Sequence, residues 1–489
     1  MQPPDTGNGH PGGGLRILIV ADNASARFGG EAFLPLHYFT RLRARGVPVW
    51  LVTHARVRDE LLHALPEAAG HMHFVKDSAL DVALFRVSGR LPRQVALATT
   101  GAVVQTETQL RQRHLVRALV RQLGIDVVHQ PIPVSPRTPS AMWNVGAPVV
   151  IGPMNGGMTF PPAFRDREPW SDRLALTVGR GAASLANRLL PGKRGASLLL
   201  VANARTRLAL PAALAGVPVE ELVENGVDLK RFRASDSARG GPVDPSRLRA
   251  AFVGRLVDWK AVDILIDAID RCRAGAARAV DLEVFGDGPM RTGLEAQVAR
   301  LGLGDRVRFH GFVPQDEMPR HLQRAEVLVL PSLYECGGAV VLEAMALGLP
   351  VVATRWGGPA DYLDDETGIL IEPTSRESMV ADIAGALRRL AAEPELGLAL
   401  GRAARLKAES YDWELKVDRM LAIYLAASGL AASGLAASGL AASARDDASG
   451  RAPSGREASA RAASGLGASD DPDAADRASG RDRVSVPSR

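Results

Sequence analysis

Residues 327–353 read as strand, glycine turn, helix and strand, and few folds accept that series. Val327–Leu330 is a short apolar run of the kind buried on both faces of a parallel sheet. Glu335-Cys336-Gly337-Gly338 follows, and paired glycines let the backbone turn sharply and approach a ligand closely. Ala339–Leu347 is built of helix formers, Gly348 ends it, and Pro350 leads into a second apolar run, Val351–Ala353. A helix N-terminus behind such a turn favours an anion, because its free N–H groups and its dipole both attract negative charge. Glu335 and Glu343, with seven residues between them, flank that point. Carboxylates do not suit an anion; they suit the hydroxyl groups of a sugar or a ribose.

The same alternation runs through the rest of the chain, so an α/β fold with doubly wound parallel sheets is expected. The first strand spans Leu15–Ala21, a loop ends in Gly29-Gly30, and a helix follows over Glu31–Arg45 with Pro35 as a candidate kink. The G-x-G-x-x-G of dinucleotide folds is absent from this opening. Strand Ile125–His129 places His129 at a carboxyl end, where open α/β sheets bind ligands. Another strand end runs into the turn-rich stretch Gly152–Gly157. Glu224-Asn225-Gly226-Val227-Asp228 closes the first unit, and the Ser, Gly, Pro and charge-rich residues after it read as a linker. The expected organisation is a disordered N-terminus (1–14), a first domain (15–232), a linker (233–247), a second domain (248–425) and a low-complexity disordered tail (426–489). The tail lacks apolar bulk and cannot offset its ordering entropy.

Glu335-x7-Glu343 resembles the E-x7-E signature of retaining, nucleotide-sugar-dependent glycosyltransferases of family 4, of the bacterial polysaccharide type. Other marks come in the family's order: Gly254-Arg255 through Lys260, Phe285-Gly286-Asp287-Gly288-Pro289, and His310-Gly311-Phe312-Val313. The resemblance covers about Leu15–Leu425. It implies the GT-B fold, two Rossmann-like domains facing a cleft, with the last helix crossing back to the first domain. It implies a donor-phosphate pair in Arg255 and Lys260, a sugar contact at Glu335, a ribose contact at Glu343, and a functional histidine at His129. Gly29, Gly30, Gly254, Val313, Gly337 and Gly338 would line the donor site. No metal or other cofactor is implied, the co-substrate being a nucleotide diphosphate sugar. The acceptor would be a saccharide or a lipid-linked saccharide in polysaccharide or glycolipid biosynthesis. Two departures are Ala261, where the family has glycine after the lysine, and Glu335-Cys336-Gly337-Gly338, where many relatives have E-G-F-G. Rival readings are a non-catalytic nucleotide-sugar-binding scaffold subunit and a sugar-nucleotide 2-epimerase.

Composition narrows the partners. Two cysteines, Cys272 and Cys336, make neither a disulfide framework nor a structural zinc site. No apolar run approaches the ~20 residues of a membrane span, and residues 1–14 lack the blocks of a secretory signal, so a cytoplasmic protein is expected. A net charge of +5 suits an anionic small molecule or lipid surface and does not point to nucleic acid. Arg113, Arg117 and Arg121 form a basic stripe whose plain reading is a solvated helix face. Asp172–Arg194 mixes apolar and basic residues. Its plain reading is two helices on the sheet; its functional reading is a peripheral contact at the inner leaflet through Leu185, Leu189, Arg180, Arg188, Lys193 and Arg194. Asp364-Asp365-Glu366 reads as a solvated turn.

Overall fold

A computed structural model of the protein describes residues 14–25, 30–88, 100–167, 183–233 and 244–430. Seven strands form one sheet in the order β3-β2-β1-β4-β5-β6-β7. They are β1 Ile17–Val20, β2 Val49–His54, β3 Met72–Val75, β4 Val127–Gln130, β5 Val149–Met154, β6 Leu198–Val201 and β7 Val219–Glu221. Six strands form a second sheet in the order β10-β9-β8-β11-β12-β13. These are β8 Arg247–Val253, β9 Ala279–Phe285, β10 Val307–Gly311, β11 Val327–Leu330, β12 Val351–Thr354 and β13 Ile369–Ile371. Strand pairs are parallel in both sheets. The central strands are apolar and wholly buried because helices cover both faces.

In each sheet the strand order reverses once, between β1 and β4 and between β8 and β11. Loops leaving neighbouring strands diverge at such a point and open a crevice outside the carboxyl ends. The residues after β1, β8 and β11 therefore face that crevice, and these include Gly30, Arg255 and Glu335.

The helix after the first loop starts at Phe33, following a 3-10 turn at Gly30–Ala32. Pro35 lies in its first turn, where a missing N–H breaks no helical bond, so no kink results. Asn203 caps the helix behind β6, its Oδ1 accepting from the Thr206 amide at 2.8 Å. The last helix, Trp413–Ser428, does cross back. Its Trp413, Val417, Met420, Ile423 and Tyr424 belong to the first domain's core, beside Tyr38, Phe39 and Leu42. The helix runs three residues past Leu425, the expected end of the second domain, and stops at Gly429 in the left-handed region, φ 73°. The remainder of that tail, 431–489, lies outside the described residues, as do 1–13 and most of the expected linker, 234–243.

The chain passes between the domains twice, and the two passages are bonded to each other. The Val227 amide donates to the Tyr411 carbonyl at 2.9 Å, and the Trp413 amide to the Val227 carbonyl at 3.0 Å. No helix among the described residues is long and apolar enough to cross a membrane.

Candidate functional site

A cavity of about 690 Å³ lies where the two switch points face each other, and it contains residues of both domains and of both passages. On the second-domain side, β8 ends at Gly254-Arg255, and a 3-10 turn at Asp258–Lys260 brings Lys260 back toward the same point. Ala261, which stands where a glycine was expected, holds the left-handed conformation (φ 53°) that starts the next helix. Arg255 is exposed, and its side chain has no hydrogen bond or ion pair with a described residue; its carbonyl accepts from the Val257 amide at 3.0 Å.

β11 leads into the glycine turn that the sequence singled out. Gly338 has φ 76° and opens the Ala339–Ala346 helix, a geometry that favours glycine. At Gly337 a Cβ would lie 2.2 Å from Asn225 Nδ2, so a larger residue would displace the amide that donates to the Tyr362 hydroxyl. Lys260 Nζ contacts Glu335 Oε2, with both side chains 15% exposed. Glu343 is buried on the next helix and accepts from Gln315 Nε2 at 3.0 Å. Burial pushes its carboxyl above the ordinary range, opposed by the Gln315 bond and the Arg231 guanidinium. Beside the cavity His310 stacks on Phe285 with centroids 4.6 Å apart.

On the first-domain side Gly30, Glu31 and His37 face the cavity together with Glu224–Asp228, Arg231 and Trp413. Asp228 is occupied by Arg41 at 2.8 Å. Glu224 is only 6% exposed and accepts from Asn155 Nδ2 at 2.7 Å; the same amide nitrogen donates to the Cys336 carbonyl at 2.9 Å. Lys416 Nζ donates to the carbonyls of Val223, Glu224 and Asn225. Burial pushes Glu224 up to about 7; the Glu31 and Glu335 carboxylates add to this, against the Asn155 bond and Lys416. Burial likewise pushes Lys416 down to about 7, opposed by Glu224. The Cys336 thiol is pushed up to about 12 by burial and by Glu224 and Glu335, so it is not a nucleophile.

Of the residues singled out in the sequence, Gly30, Gly254, Arg255, Lys260, Val313, Glu335, Gly337, Gly338 and Glu343 line this one cavity. Gly29 lies outside the described residues. His129 does not reach the cavity. It is 0% exposed, with Nε2 2.7 Å from the Gly152 carbonyl and Nδ1 2.7 Å from the Tyr424 hydroxyl. Burial pushes its imidazole down to about 4, against the Gly152 bond. Its place is structural: it ties the crossing helix to β4 and β5.

Lys193 is likewise no surface residue. It is buried, and Nζ donates to the carbonyls of Ser135 at 3.1 Å and Pro136 at 3.0 Å. Arg180 and the rest of 168–182 lie outside the described residues, while Arg188 and Arg194 are exposed and Leu185 and Leu189 are 57% and 71% exposed. Arg113 packs over Trp143 at 4.2 Å, while Arg117 and Arg121 are exposed. In the acidic turn, Asp364 pairs with Lys407 and Asp365 with Arg355, each at 2.6 Å.

Glu31, Glu224, Arg231 and Lys416 were not singled out. The available signal was slight: a carboxylate before Asn225-Gly226 and two bases at the domain passages, with nothing local to show that they converge.

Residues 238–407 match the family model described as glycosyl transferases group 1. The D-inositol 3-phosphate glycosyltransferase of Segniliparus rotundus is 36% identical over 214 residues, 42% of this chain and 47% of that protein. The 2-deoxystreptamine glucosyltransferase of Streptomyces kanamyceticus is 34% identical over 225 residues, 43% and 56% of the two chains. The chain spans about half the length of the curated relatives it matches. Among solved structures, sucrose-phosphate synthase of Thermosynechococcus elongatus aligns with a TM-score of 0.60 at 20% identity, over 84% of this chain and 98% of that one. Anabaena HepE in complex with UDP aligns with a TM-score of 0.59 at 18% identity, over 84% and 100%. Two parallel α/β domains, a cleft at their switch points and a last helix that crosses back make this a protein of the GT-B fold, with a second domain similar in sequence to glycosyl transferases of group 1.

Proposed function

We propose that this chain is a retaining glycosyltransferase that moves a hexose from a nucleotide diphosphate sugar to a saccharide, free or lipid-linked. The observation that carries the reading is the convergence of Arg255, Lys260, Glu335, the Gly338 helix N-terminus and Glu343 on one cavity. Arg255 and that N-terminus take the diphosphate, and Lys260 shares it with Glu335. The charge that develops on the leaving phosphate then meets donors already in place. Glu343 takes the ribose hydroxyls, and Glu335 takes a hydroxyl of the donor sugar. This charge set needs no divalent ion and no covalent nucleophile. Closure of the two domains over the donor excludes water and limits hydrolysis.

A UDP-sugar is the first donor to try, since HepE structures hold UDP and UDP-glucose. A lipid-linked acceptor would be reached from the face carrying Leu185, Leu189, Arg188 and Arg194, with Lys193 removed from that set. Binding to anionic vesicles but not neutral ones at low salt supports this contact, and equal binding removes it.

Thermal shift with UDP, GDP and ADP tests the donor site. A ligand at ~100 times its Kd adds about 2.7 kcal/mol and raises Tm. No shift with any of the three refutes the reading. Binding followed by transfer to no acceptor would make the chain a nucleotide-sugar-binding scaffold. The anomer of the product, read by NMR, decides retention.

A further inference from the structure

Four basic side chains among the described residues line the cavity: His37, Arg231, Arg255 and Lys260. Two of them bring no free charge. Lys260 contacts Glu335. Arg41 Nη1 lies 2.9 Å from His37 Nδ1, and a guanidinium only donates, so that nitrogen accepts and the ring is neutral. Arg255 belongs to the proposed diphosphate site, which leaves Arg231. Its guanidinium is exposed, 6.0 Å from the Phe232 ring, and makes no hydrogen bond or ion pair with a described residue. The nearest carboxylate along the chain, Asp228, is engaged at both oxygens. Oδ2 accepts from Arg41 Nη2 at 2.8 Å, and Oδ1 accepts from the amides of Lys230 and Arg231 at 3.1 Å each. That turn fixes the backbone of Arg231 and leaves its side chain to the cavity. The second domain sets where it stands. Phe232 is 2% exposed in that domain's core, and the Arg233 carbonyl accepts from Gln323 Nε2 at 3.2 Å. Gln323 ends the helix Met318–Leu322, and Gln315, just before that helix, donates to Glu343 at 3.0 Å. Arg231 therefore lies toward the Glu343 end of the cavity, and its charge reaches that carboxylate.

We propose that Arg231 is a further donor-binding residue, which takes the α-phosphate of the nucleotide diphosphate sugar from the passage between the domains. This rests on the glycosyltransferase reading and adds a second guanidinium to the same site. With the ribose hydroxyls on Glu343, the α-phosphate follows through a single carbon, C5′, and so falls at the end of the cavity where Arg231 stands. Lys260, Glu335, Gly254 and Gly338 stand together elsewhere, with Arg255 next to Gly254, and that group receives the β-phosphate and the sugar. A planar guanidinium takes two phosphate oxygens at once. An anionic group on the acceptor would lie beyond the sugar, past Glu335 and away from Arg231. Because Asp228 is tied to Arg41 of the first domain, a nucleotide held by Arg231 and Glu343 joins the passage to the second domain.

Calorimetry with a nucleoside, its monophosphate and its diphosphate tests this, using uridine, UMP and UDP or the matching set of whichever base raises Tm. The wild type is expected to bind UMP more tightly than uridine. Arg231→Ala should weaken UMP and UDP by the same factor, at least about tenfold, and leave uridine within about twofold. Arg231→Lys, which keeps the charge without the fork, should recover part of the loss. The side chain is exposed, so both variants are expected to fold with unchanged Tm. A wild type that binds UMP no better than uridine would overturn the proposal, as would unchanged UMP affinity in Arg231→Ala. A loss confined to UDP would place the contact on the β-phosphate and overturn it too. Equal losses for all three ligands, with a lowered Tm, would make Arg231 structural and have the same result. Failure of UDP, GDP and ADP to bind the wild type would instead overturn the reading on which the proposal rests.

Discussion

Replacing Lys260 with methionine tests its proposed phosphate role apart from the ion pair that it makes with Glu335. Its ammonium contacts Glu335 Oε2 with both side chains only 15% exposed, so deletion leaves a largely buried carboxylate without its cation. Breaking such a pair costs about 3–5 kcal/mol, and the low end applies because the cavity admits water. The donor site is hit independently. The diphosphate loses one of two flanking cations and faces an unpaired Glu335 in its place. Loss of one preorganised contact to developing charge lowers kcat about 10²–10³-fold, or ~2.7–4 kcal/mol. The double variant Lys260→Met/Glu335→Gln removes the orphaned charge, and replacing both members of a pair is often near neutral in stability. Single-turnover transfer from a radiolabelled nucleotide sugar, with Tm measured in parallel, reads both effects. Stability is expected to return in the double variant while transfer stays at least about 100-fold down. A folded Lys260→Met protein that transfers within about threefold of wild type would refute the phosphate role. So would a double variant that regains full transfer.

Glu343→Ala should weaken binding of the free nucleotide by about tenfold, one charge-assisted hydrogen bond, in calorimetry; unchanged affinity removes Glu343 from the ribose. Tyr424→Phe leaves buried His129 Nδ1 without its partner and should cost about 1–3 kcal/mol in denaturant unfolding, with kcat unaffected. A large loss of turnover at unchanged stability would return His129 to the chemistry. Removing residues 431–489 should leave Tm and activity unchanged, because that stretch has almost no apolar bulk, and a fall of several degrees would contradict this.

What could be read from the sequence is what is encoded locally. Val327–Leu330, Gly337-Gly338 and Ala339–Leu347 carry their own signals of strand, turn and helix, and β11 and the following helix lie where those signals put them. Arg255, Lys260, Glu335 and Glu343 follow, because each sits next to a strand end or a glycine that fixes its direction. His129 failed for a non-local reason. A strand end at a switch region is a fair place for a ligand, but the Tyr424 hydroxyl, 295 residues later, closes over it. Lys193 failed similarly: it stands among basic residues in sequence, yet the Ser135 and Pro136 carbonyls draw it inward. The helix end was misplaced because Ala426-Ala427-Ser428, at the start of the low-complexity tail, also continues a helix, with Gly429 to stop it.

The passage between the domains explains why a lysine is buried there. Residues 223–225 have left β7 and have no neighbouring strand, so their carbonyls lack ladder donors. Lys416 supplies three from one ammonium, and it reaches them because its own helix has crossed back along the same line. That fixes the backbone on which Glu224 and Asn225 are carried. Their side chains then meet the second domain, Asn225 donating to the Tyr362 hydroxyl at 3.1 Å and Glu224 sharing Asn155 with the Cys336 carbonyl. The Glu224 carboxylate is thus positioned by groups from both domains and from both passages. Any hinge movement that shifts one sheet against the other displaces Glu224 relative to Gly337, and under the proposed function this links domain closure to the geometry of the donor side of the cavity.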